Sequence, residues 1–250
     1  MSTEGSAALP INANLAERVV VVVGGTSGIG LAAAIQAKQA GARVVVIGSD
    51  RQRASEAASA HGLDGFRAAD VTKPDEIASA LADIPHVDHL VLLAGSFVAG
   101  RIMEADVDHL RRAFDERIWA AIHAIRALGD RLATDGSITF ISGALADRPN
   151  GYGTAVLAAA SAAMEALARG LALELAPRRV NTLSPGTIDT PLLAKALGDG
   201  RDAYVQRLEG TLPVRRVGTA EEAGAAVVFL MANGFMNGAT LNVDGGSRLV

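Results

Sequence analysis

The sequence contains no cysteine and few aromatic residues. Its 250 residues include one Trp, two Tyr and six Phe. Without cysteine the chain forms no disulfide, no thiolate metal site and no cysteine nucleophile, which is consistent with the reducing cytoplasm as its location. The five histidines show no spacing that the predicted strands and helices would bring together, so we expect no metal site.

The chain also lacks a strong charge of one sign and long apolar runs. Its formal net charge of −4 gives no general attraction to nucleic-acid phosphates or to anionic membranes. Apolar runs such as residues 19–23 are far shorter than the roughly 20 residues that span a bilayer. Residues 1–16 lack the features of a signal peptide and are typical of a flexible tail. We therefore expect no nucleic-acid or membrane partner, but a small-molecule substrate or further copies of the chain.

Short β-branched runs alternate with longer helical patterns from residue 17 onwards. Strands are predicted at residues 18–24, 42–48, 87–95, 136–142, 179–184 and 239–245. Helices are predicted at residues 28–40, 51–61, 74–82, 105–131, 155–176 and 219–232. Because strands that are apolar on both faces need cover on both sides, the pattern predicts an α/β fold with a doubly wound parallel sheet. We expect three α/β/α layers of the Rossmann type, in a single domain over residues 17–250.

A glycine-rich loop, GGTSGIG at residues 24–30, joins the first predicted strand to the first predicted helix. Glycines let a backbone turn sharply and approach a pyrophosphate, while the start of a helix offers unpaired N–H groups. A tight strand-to-helix turn without a ligand also uses glycine, but this placement favours a dinucleotide site. The predicted contacts are Gly24, Thr26, Ser27, Gly28, Ile29 and Gly30.

The end of the second strand bears on the choice of cofactor. An acidic residue there binds the ribose 2′-OH of NAD, whereas small polar and basic residues accept the 2′-phosphate of NADP. Here Ser49 comes first, followed by Asp50 and Arg51. Ser49 and Arg51 favour NADP(H) over NAD(H). The alternative is that Asp50 faces the ribose and that Arg51 and Arg53 are solvent-exposed charges of the next helix.

The sequence resembles the short-chain dehydrogenase/reductase family over residues 17–247. VGGTSGIG at 23–30 is similar to the family's T-G-x-x-x-G-x-G, with Val23 in place of threonine. The resemblance extends to ADVT at 69–72, LLAG at 92–95, SPGTIDTP at 184–191 and LNVDGG at 241–246. It implies an NAD(P)(H)-dependent oxidoreductase that acts on a carbonyl or alcohol group. The cofactor contacts that it implies are Asp70, Val71, Ala94, Gly95, Pro185, Gly186, Ile188 and Thr190.

The same resemblance implies two larger features. The segment around residues 187–217 corresponds to the part of the family fold that covers the substrate as a lid. The helix after residue 155, rich in small residues, and the long helix before it correspond to the helices through which family members form a homotetramer or homodimer.

The catalytic residues that the family would supply are missing. Alignment of the helix after residue 155 puts Leu157 at the position of the family's tyrosine and Ser161 at that of its lysine. The family's serine falls on Gly143 or Ala144, and its asparagine falls on Arg117. The chain has only three lysines, and neither Tyr152 nor Tyr204 is followed by a lysine four residues later, so no Y-x-x-x-K exists in any register.

Three residues remain as candidate catalytic groups. Ser142 ends its strand at the expected catalytic edge, although its hydroxyl could simply cap the loop. Tyr152 precedes the helix between two glycines and is either a replacement acid or a surface tyrosine. Arg117 could orient a substrate, but a guanidinium that stays protonated does not relay protons. The sequence thus predicts an NADP-dependent oxidoreductase with weak or atypical catalysis; the alternatives are a non-redox enzyme and a cofactor-sensing or partner-binding protein.

Overall fold

The computed structural model describes residues 14–250, which contain nine strands. The strands are β1 (Val19–Val23), β2 (Arg43–Gly48), β3 (Gly65–Ala68), β4 (Val87–Leu92), β5 (Leu132–Ile141), β6 (Arg179–Pro185), β7 (Ile188–Asp189), β8 (Gly218–Thr219) and β9 (Thr240–Val243). Seven of them form one parallel sheet in the order β3-β2-β1-β4-β5-β6-β9. The other two, β7 and β8, pair with each other.

The helices cover both faces of the large sheet. They are α1 (Gly28–Gln39), α2 (Arg51–His61), α3 (Pro74–Leu81), α4 (Val107–Phe114), α5 (Ala120–Leu128), α6 (Ala155–Glu174), α7 (Pro191–Leu197), α8 (Arg201–Thr211) and α9 (Ala220–Ala232). One core cluster joins the sheet to α3, α5 and α6, and a second joins it to α1, α2 and α9. The predicted doubly wound, three-layer fold is therefore confirmed.

Strand β1 shows why two helical layers are needed. Val21 and Val23 belong to one core cluster, while Val20 and Val22 belong to the other. All four are at most 2% exposed, so both faces of the strand are removed from water. Burial of each valine side chain contributes about 1.5–3 kcal/mol to folding.

The structure contains β7, β8, α7 and α8, which were not predicted, and it differs from the prediction at three further places. Strand β3 was not predicted, because Gly65–Ala68 is short and only partly buried. The helix predicted at residues 105–131 is divided by a π-helical turn, Asp115–Trp119, into α4 and α5. Most of the tail predicted at residues 1–16 lies outside the described residues, but Leu15 is 2% exposed and packs in the core, so the packed domain starts before residue 17.

Helix α6 is long and apolar enough to cross a membrane by length and composition. In the described part of the chain it is the one helix that meets this test. It packs instead along β5 and β6, with Leu157, Met164 and Ala168 buried. This is the environment of a core helix.

Sheet topology places the candidate site. From β1 the chain builds outward through β2 and β3, and it then returns to place β4 on the other side of β1. The crevice at the carboxyl ends of β1 and β4 is the topological switch point, where ligands bind in folds of this class. The glycine loop after β1 and the Ala94–Gly95 pair after β4 both lie there.

Candidate active site

The loop between β1 and α1 has room for backbone only. Gly24 adopts a φ of +84°, and a Cβ on it would lie 2.6 Å from the backbone nitrogen of Ala94. A Cβ on Gly30 would overlap the carbonyl oxygen of Gly24. These positions therefore require glycine, and together they form a cradle into which a ligand can approach the main chain.

The start of α1 faces this cradle with free donors. Ser27 is the N-cap residue, and its side chain accepts no hydrogen bond from the helix. The first turn contains no acidic side chain that would compete for the N–H groups. Thr190 lies across the loop, with its Cγ2 3.2 Å from where a Cβ of Gly28 would be. The geometry fits a pyrophosphate at the helix N-terminus.

At the end of β2, Asp50 is committed to the following helix. Its Oδ1 accepts a hydrogen bond of 2.9 Å from the backbone nitrogen of Arg53, which makes Asp50 the N-cap of α2. Ser49 and Arg51 are exposed beside it. The Arg51 guanidinium lies 5.8 Å from the centroid of the Phe66 ring. The carboxylate of Asp50 is thus turned toward α2, while the hydroxyl of Ser49 and the guanidinium of Arg51 remain exposed at the end of β2.

The residues predicted to contact adenine follow β3. Asp70 accepts hydrogen bonds from the hydroxyl and the backbone nitrogen of Thr72, and these bonds hold the pKa of its carboxyl below the usual range. Val71 lines a small internal void together with Ala94 and Arg117. The structure therefore brings the loops after β3 and β4 together; a shared role in cofactor binding stays a prediction.

The loop after β6 closes the other side of the crevice. A Cβ on Gly186 would lie 2.8 Å from Cα of Asp244, so the loops after β6 and β9 are in close contact. Arg248 ties this region together: its guanidinium donates to Asp147, Asp244 and the hydroxyl of Ser184. The sequence analysis missed Arg248, because two of its three partners, Asp147 and Ser184, come from distant segments that no local pattern connects to it.

The two tyrosines have different environments. Tyr152 is 75% exposed, and its backbone nitrogen donates a hydrogen bond to Oδ1 of Asn150. Tyr204, on α8 in the predicted lid, is partly buried, and its Oη lies 3.4 Å from Oγ1 of Thr187. Thr187 follows Gly186 at the carboxyl edge of the sheet. The sequence analysis did not single out Tyr204, whose hydroxyl contacts a loop of the crevice.

Comparison with known proteins agrees with this geometry. A family model described as Enoyl-(Acyl carrier protein) reductase matches residues 23–248. A short-chain dehydrogenase/reductase of Acremonium sp is 32% identical, over 94% of this chain and 97% of the relative. The cis-4-hydroxycyclohexanecarboxylate dehydrogenase of Sinomonas cyclohexanicum is 34% identical, over 94% and 98%. The chain belongs to the short-chain dehydrogenase/reductase family.

Solved structures of the family superpose on most of the chain. A small-chain dehydrogenase in complex with NADPH is 36% identical, with a TM-score of 0.81 over 94% of this chain and 100% of the other. A short-chain oxidoreductase from Pseudomonas aeruginosa PAO1, described as containing an atypical catalytic center, is 26% identical, with a TM-score of 0.84 over 94% and 98%. The chain therefore shares the Rossmann fold of these relatives, one of which is in complex with NADPH.

Helix α6 contains no tyrosine and no lysine. Leu157 and Ser161, which the sequence analysis predicts at the family's tyrosine and lysine positions, are each 4% exposed. The hydroxyl of Ser142 is turned toward the same helix, with 2.6 Å between its Oγ and Oε1 of Glu165 and 3.1 Å to the backbone oxygen of Ser161. Leu157 and Ser161 are thus buried in the packing of α6, and the hydroxyl of Ser142 bonds to this helix.

Arg117, which the sequence analysis predicts at the family's asparagine position, lies inside the π-helical turn. Its Nη2 donates to the backbone oxygen of Ser96 at 2.9 Å, and its Nη1 lies 3.4 Å from the backbone oxygen of Ala113. Burial lowers the pKa of Arg117, although nearby Glu116 opposes this change. An arginine nevertheless stays protonated under ordinary conditions, so the site contains a fixed positive charge.

Proposed function

We propose that this family member is an NADP(H)-dependent oxidoreductase that acts on a carbonyl or alcohol substrate. It would work without a catalytic tyrosine and lysine on α6, since this helix contains neither residue. The observation that carries the proposal is the cradle between β1 and α1, which leaves room for main chain alone and faces free helix donors. Bound NADP(H) would supply or accept a hydride at this site.

The residues around the crevice divide the binding task. The N–H groups of the glycine loop and of the first turn of α1 would bind the pyrophosphate. Asp70 and Val71 border the adenine side, and Ala94 and Gly95 lie between the two halves of the site. The loop with Pro185, Gly186, Ile188 and Thr190 would hold the nicotinamide carboxamide, as the resemblance to the family implies.

The preference for NADP(H) over NAD(H) rests on the end of β2. Asp50 caps α2 through Arg53, so its carboxylate is engaged away from a ribose 2′-OH. Ser49 and the exposed guanidinium of Arg51 are left to bind a 2′-phosphate. Charge-assisted hydrogen bonds between a guanidinium and a phosphate are among the strongest that proteins form.

Proton transfer would be the weak step. General acid–base catalysis contributes about 10²–10⁴ to the rate of such reactions, and α6 offers neither a tyrosine nor a lysine for it. Proximity of the substrate to the cofactor remains as a source of rate acceleration. Of the two phenols, that of Tyr204 contacts Thr187 in the loop after β6, whereas Tyr152 is 75% exposed.

A protein that senses the cofactor without turnover is a second candidate. The observation in its favour is that Leu157 and Ser161 are buried in an intact, well-packed helix, while the cradle is retained. The two candidates differ in one measurable property, because only the oxidoreductase consumes NADPH when carbonyl compounds are added.

We also propose that the chain self-associates through α6 and is cytoplasmic. One side of α6 exposes Ala159, Ala162 and Ala166, followed by Leu173 at 84% exposure. Small side chains allow a second helix to approach closely. Light scattering after gel filtration tests this, since Leu173→Arg should convert a dimer or tetramer to a smaller species. A monomeric wild-type protein would contradict the proposal.

The first experiment is a titration of the purified protein with NADPH and with NADH. Nicotinamide fluorescence and quenching of Trp119, which is 52% exposed at the end of the π-helical turn, report binding. Micromolar binding that prefers NADPH supports the proposal. If neither cofactor binds, the cradle has no cofactor function and the proposal fails.

A further inference from the structure

The guanidinium of Arg117 lies against the glycine that follows β4. A Cβ on Gly95 would be 3.0 Å from Cζ of Arg117 and 3.1 Å from its Nη2, and Gly95 has a φ of +153°. The Ala94–Gly95 pair belongs to the candidate cofactor site described above. A positive charge is therefore placed directly beside the backbone that would contact the cofactor.

This charge has no acidic partner in the described part of the chain. Within residues 14–250, no carboxylate oxygen comes within 4.0 Å of the Arg117 guanidinium. The adjacent carboxylate, Glu116, accepts hydrogen bonds of 2.6 Å from both the nitrogen and the hydroxyl of Ser96, and it pairs with Arg112 at 2.6 Å. An arginine has five N–H donors, and those of Arg117 not used on Ser96 and Ala113 remain for a ligand.

The space in front of Arg117 is bordered by α6. Arg117, Ala94 and Met164 line the same small internal void, and Met164 lies one turn beyond Ser161 on α6. Position 161 is a serine that is 4% exposed, so α6 extends no long polar side chain at this position. The guanidinium of Arg117 comes from the π-helical turn, which packs against α6, and it places a cation beside Gly95.

We propose that Arg117 donates hydrogen bonds to the hydroxyls of the ribose on the nicotinamide side of bound NADP(H), a role that the resemblance to the family implies for a lysine at position 161. The assignment rests on the proposed function. The sugar next to the nicotinamide would be the partner, because the guanidinium lies against Gly95 of the proposed cofactor site. Arg117 is thus a cofactor-positioning residue, with a fixed charge that no proton transfer removes.

The first test compares two ligands in calorimetric titrations. NADPH carries the nicotinamide ribose, whereas adenosine 2′,5′-bisphosphate lacks it and retains the adenosine half. Loss of a charge-assisted hydrogen bond predicts that Arg117→Met binds NADPH about 10- to 100-fold more weakly. Its affinity for the bisphosphate should equal that of the wild type. Arg111→Met is the matched control, because Arg111 is exposed on α4 and should leave both affinities unchanged.

A second test moves the positive charge from position 117 to position 161 on α6. Arg117→Asn alone should lose NADPH affinity, and Arg117→Asn combined with Ser161→Lys should recover it to within about 3-fold of the wild type. Melting curves show whether each variant is folded, and Arg117→Asn replaces Arg117→Met if the latter is not.

The outcomes separate this inference from the proposed function. Equal NADPH affinity in wild type and Arg117→Asn overturns the role of Arg117. A parallel loss of bisphosphate affinity also overturns it, because the effect would then be on the whole pocket, and so does a double variant that recovers nothing. A wild-type protein that binds neither ligand refutes the proposed function, and the assignment of Arg117 with it.

Discussion

The hydroxyl of Ser142 lies 2.6 Å from Oε1 of Glu165, across the gap between the end of β5 and α6. It donates toward the helix, where the backbone oxygen of Ser161 is 3.1 Å away. A hydroxyl at the carboxyl end of a central strand is well placed to meet a substrate, but this one is engaged on the helix side. The pair fastens the loop after β5 to α6.

Ser142→Ala should therefore affect stability more than turnover. Loss of the bond leaves Glu165 without its partner, and we expect the free energy of unfolding to fall by about 1–2 kcal/mol. Turnover of a carbonyl substrate with NADPH should change by less than about 3-fold, because removing a packing contact leaves the chemical step intact. Urea unfolding and steady-state kinetics measure the two effects. A 100-fold loss of kcat at unchanged stability would show that the hydroxyl acts in catalysis.

The two tyrosines allow a matched comparison. Tyr204→Phe removes the hydroxyl near Thr187, and we expect kcat for carbonyl reduction to fall by at least about 100-fold if this phenol donates the proton. Tyr152→Phe makes the same chemical change at a site that is 75% exposed, and it should leave kcat unchanged. NADPH affinity should be the same in both variants. Equal activity of Tyr204→Phe and wild type would remove the phenol from the mechanism.

Arg51 provides a test of cofactor choice. Arg51→Ala should weaken NADPH binding by about 10-fold, because an exposed guanidinium–phosphate contact is partly screened by salt. NADH affinity should not change, since NADH has no 2′-phosphate. Arg53→Ala is the control: its backbone nitrogen makes the capping bond to Asp50 whatever the side chain is. If Arg51→Ala weakens both cofactors equally, Arg51 contributes to folding rather than to recognition.

His89 predicts how stability depends on pH. It is 5% exposed on β4, its Nδ1 is 2.8 Å from the hydroxyl of Ser137, and burial lowers its pKa to about 4 from an ordinary 6.5. The unfolded chain therefore binds more protons than the folded chain between these values. The resulting stabilisation is complete above pH 6.5 and is lost as the pH falls toward 4, by about 3 kcal/mol in total.

His89→Gln should flatten this part of the profile. Urea unfolding at pH 7, 5.5 and 4.5 gives the free energy of unfolding at each pH. His61→Gln, at the exposed end of α2, should retain the slope of the wild type. A His89→Gln variant with that same slope would mean that other groups determine the acid response.

The fold and the cofactor cradle could be predicted because their signals are local. Five consecutive valines in β1 leave no polar face, and the glycines of residues 24–30 follow at once. The spacing of these letters determines both the strand and the turn. Strand β3 escaped prediction because Gly65–Ala68 gains its stability from pairing with β2, a contact that its four residues do not encode.

For the catalytic side of the site, the sequence predicts only which residues are missing. The missing Y-x-x-x-K can be counted in the sequence, but the replacements depend on contacts across long stretches of chain. Tyr204 meets Thr187 over 17 residues, and Arg248 meets Asp147 over 101. The π-helical turn that presents Arg117 is likewise invisible in a pattern that continues as a regular helix through residues 105–131.

Because Asp50 caps α2, the order of residues 49 and 50 bears on which cofactor the protein prefers. Oδ1 of Asp50 accepts the capping bond, so the carboxylate is directed to the start of α2. Exchanging two adjacent letters, Ser49→Asp together with Asp50→Ser, preserves composition, net charge and a good capping residue, while it moves the acid to the strand end. We expect this isomer of the protein to prefer NADH. The order of two neighbouring residues would thus determine which nicotinamide cofactor the protein uses in the cell.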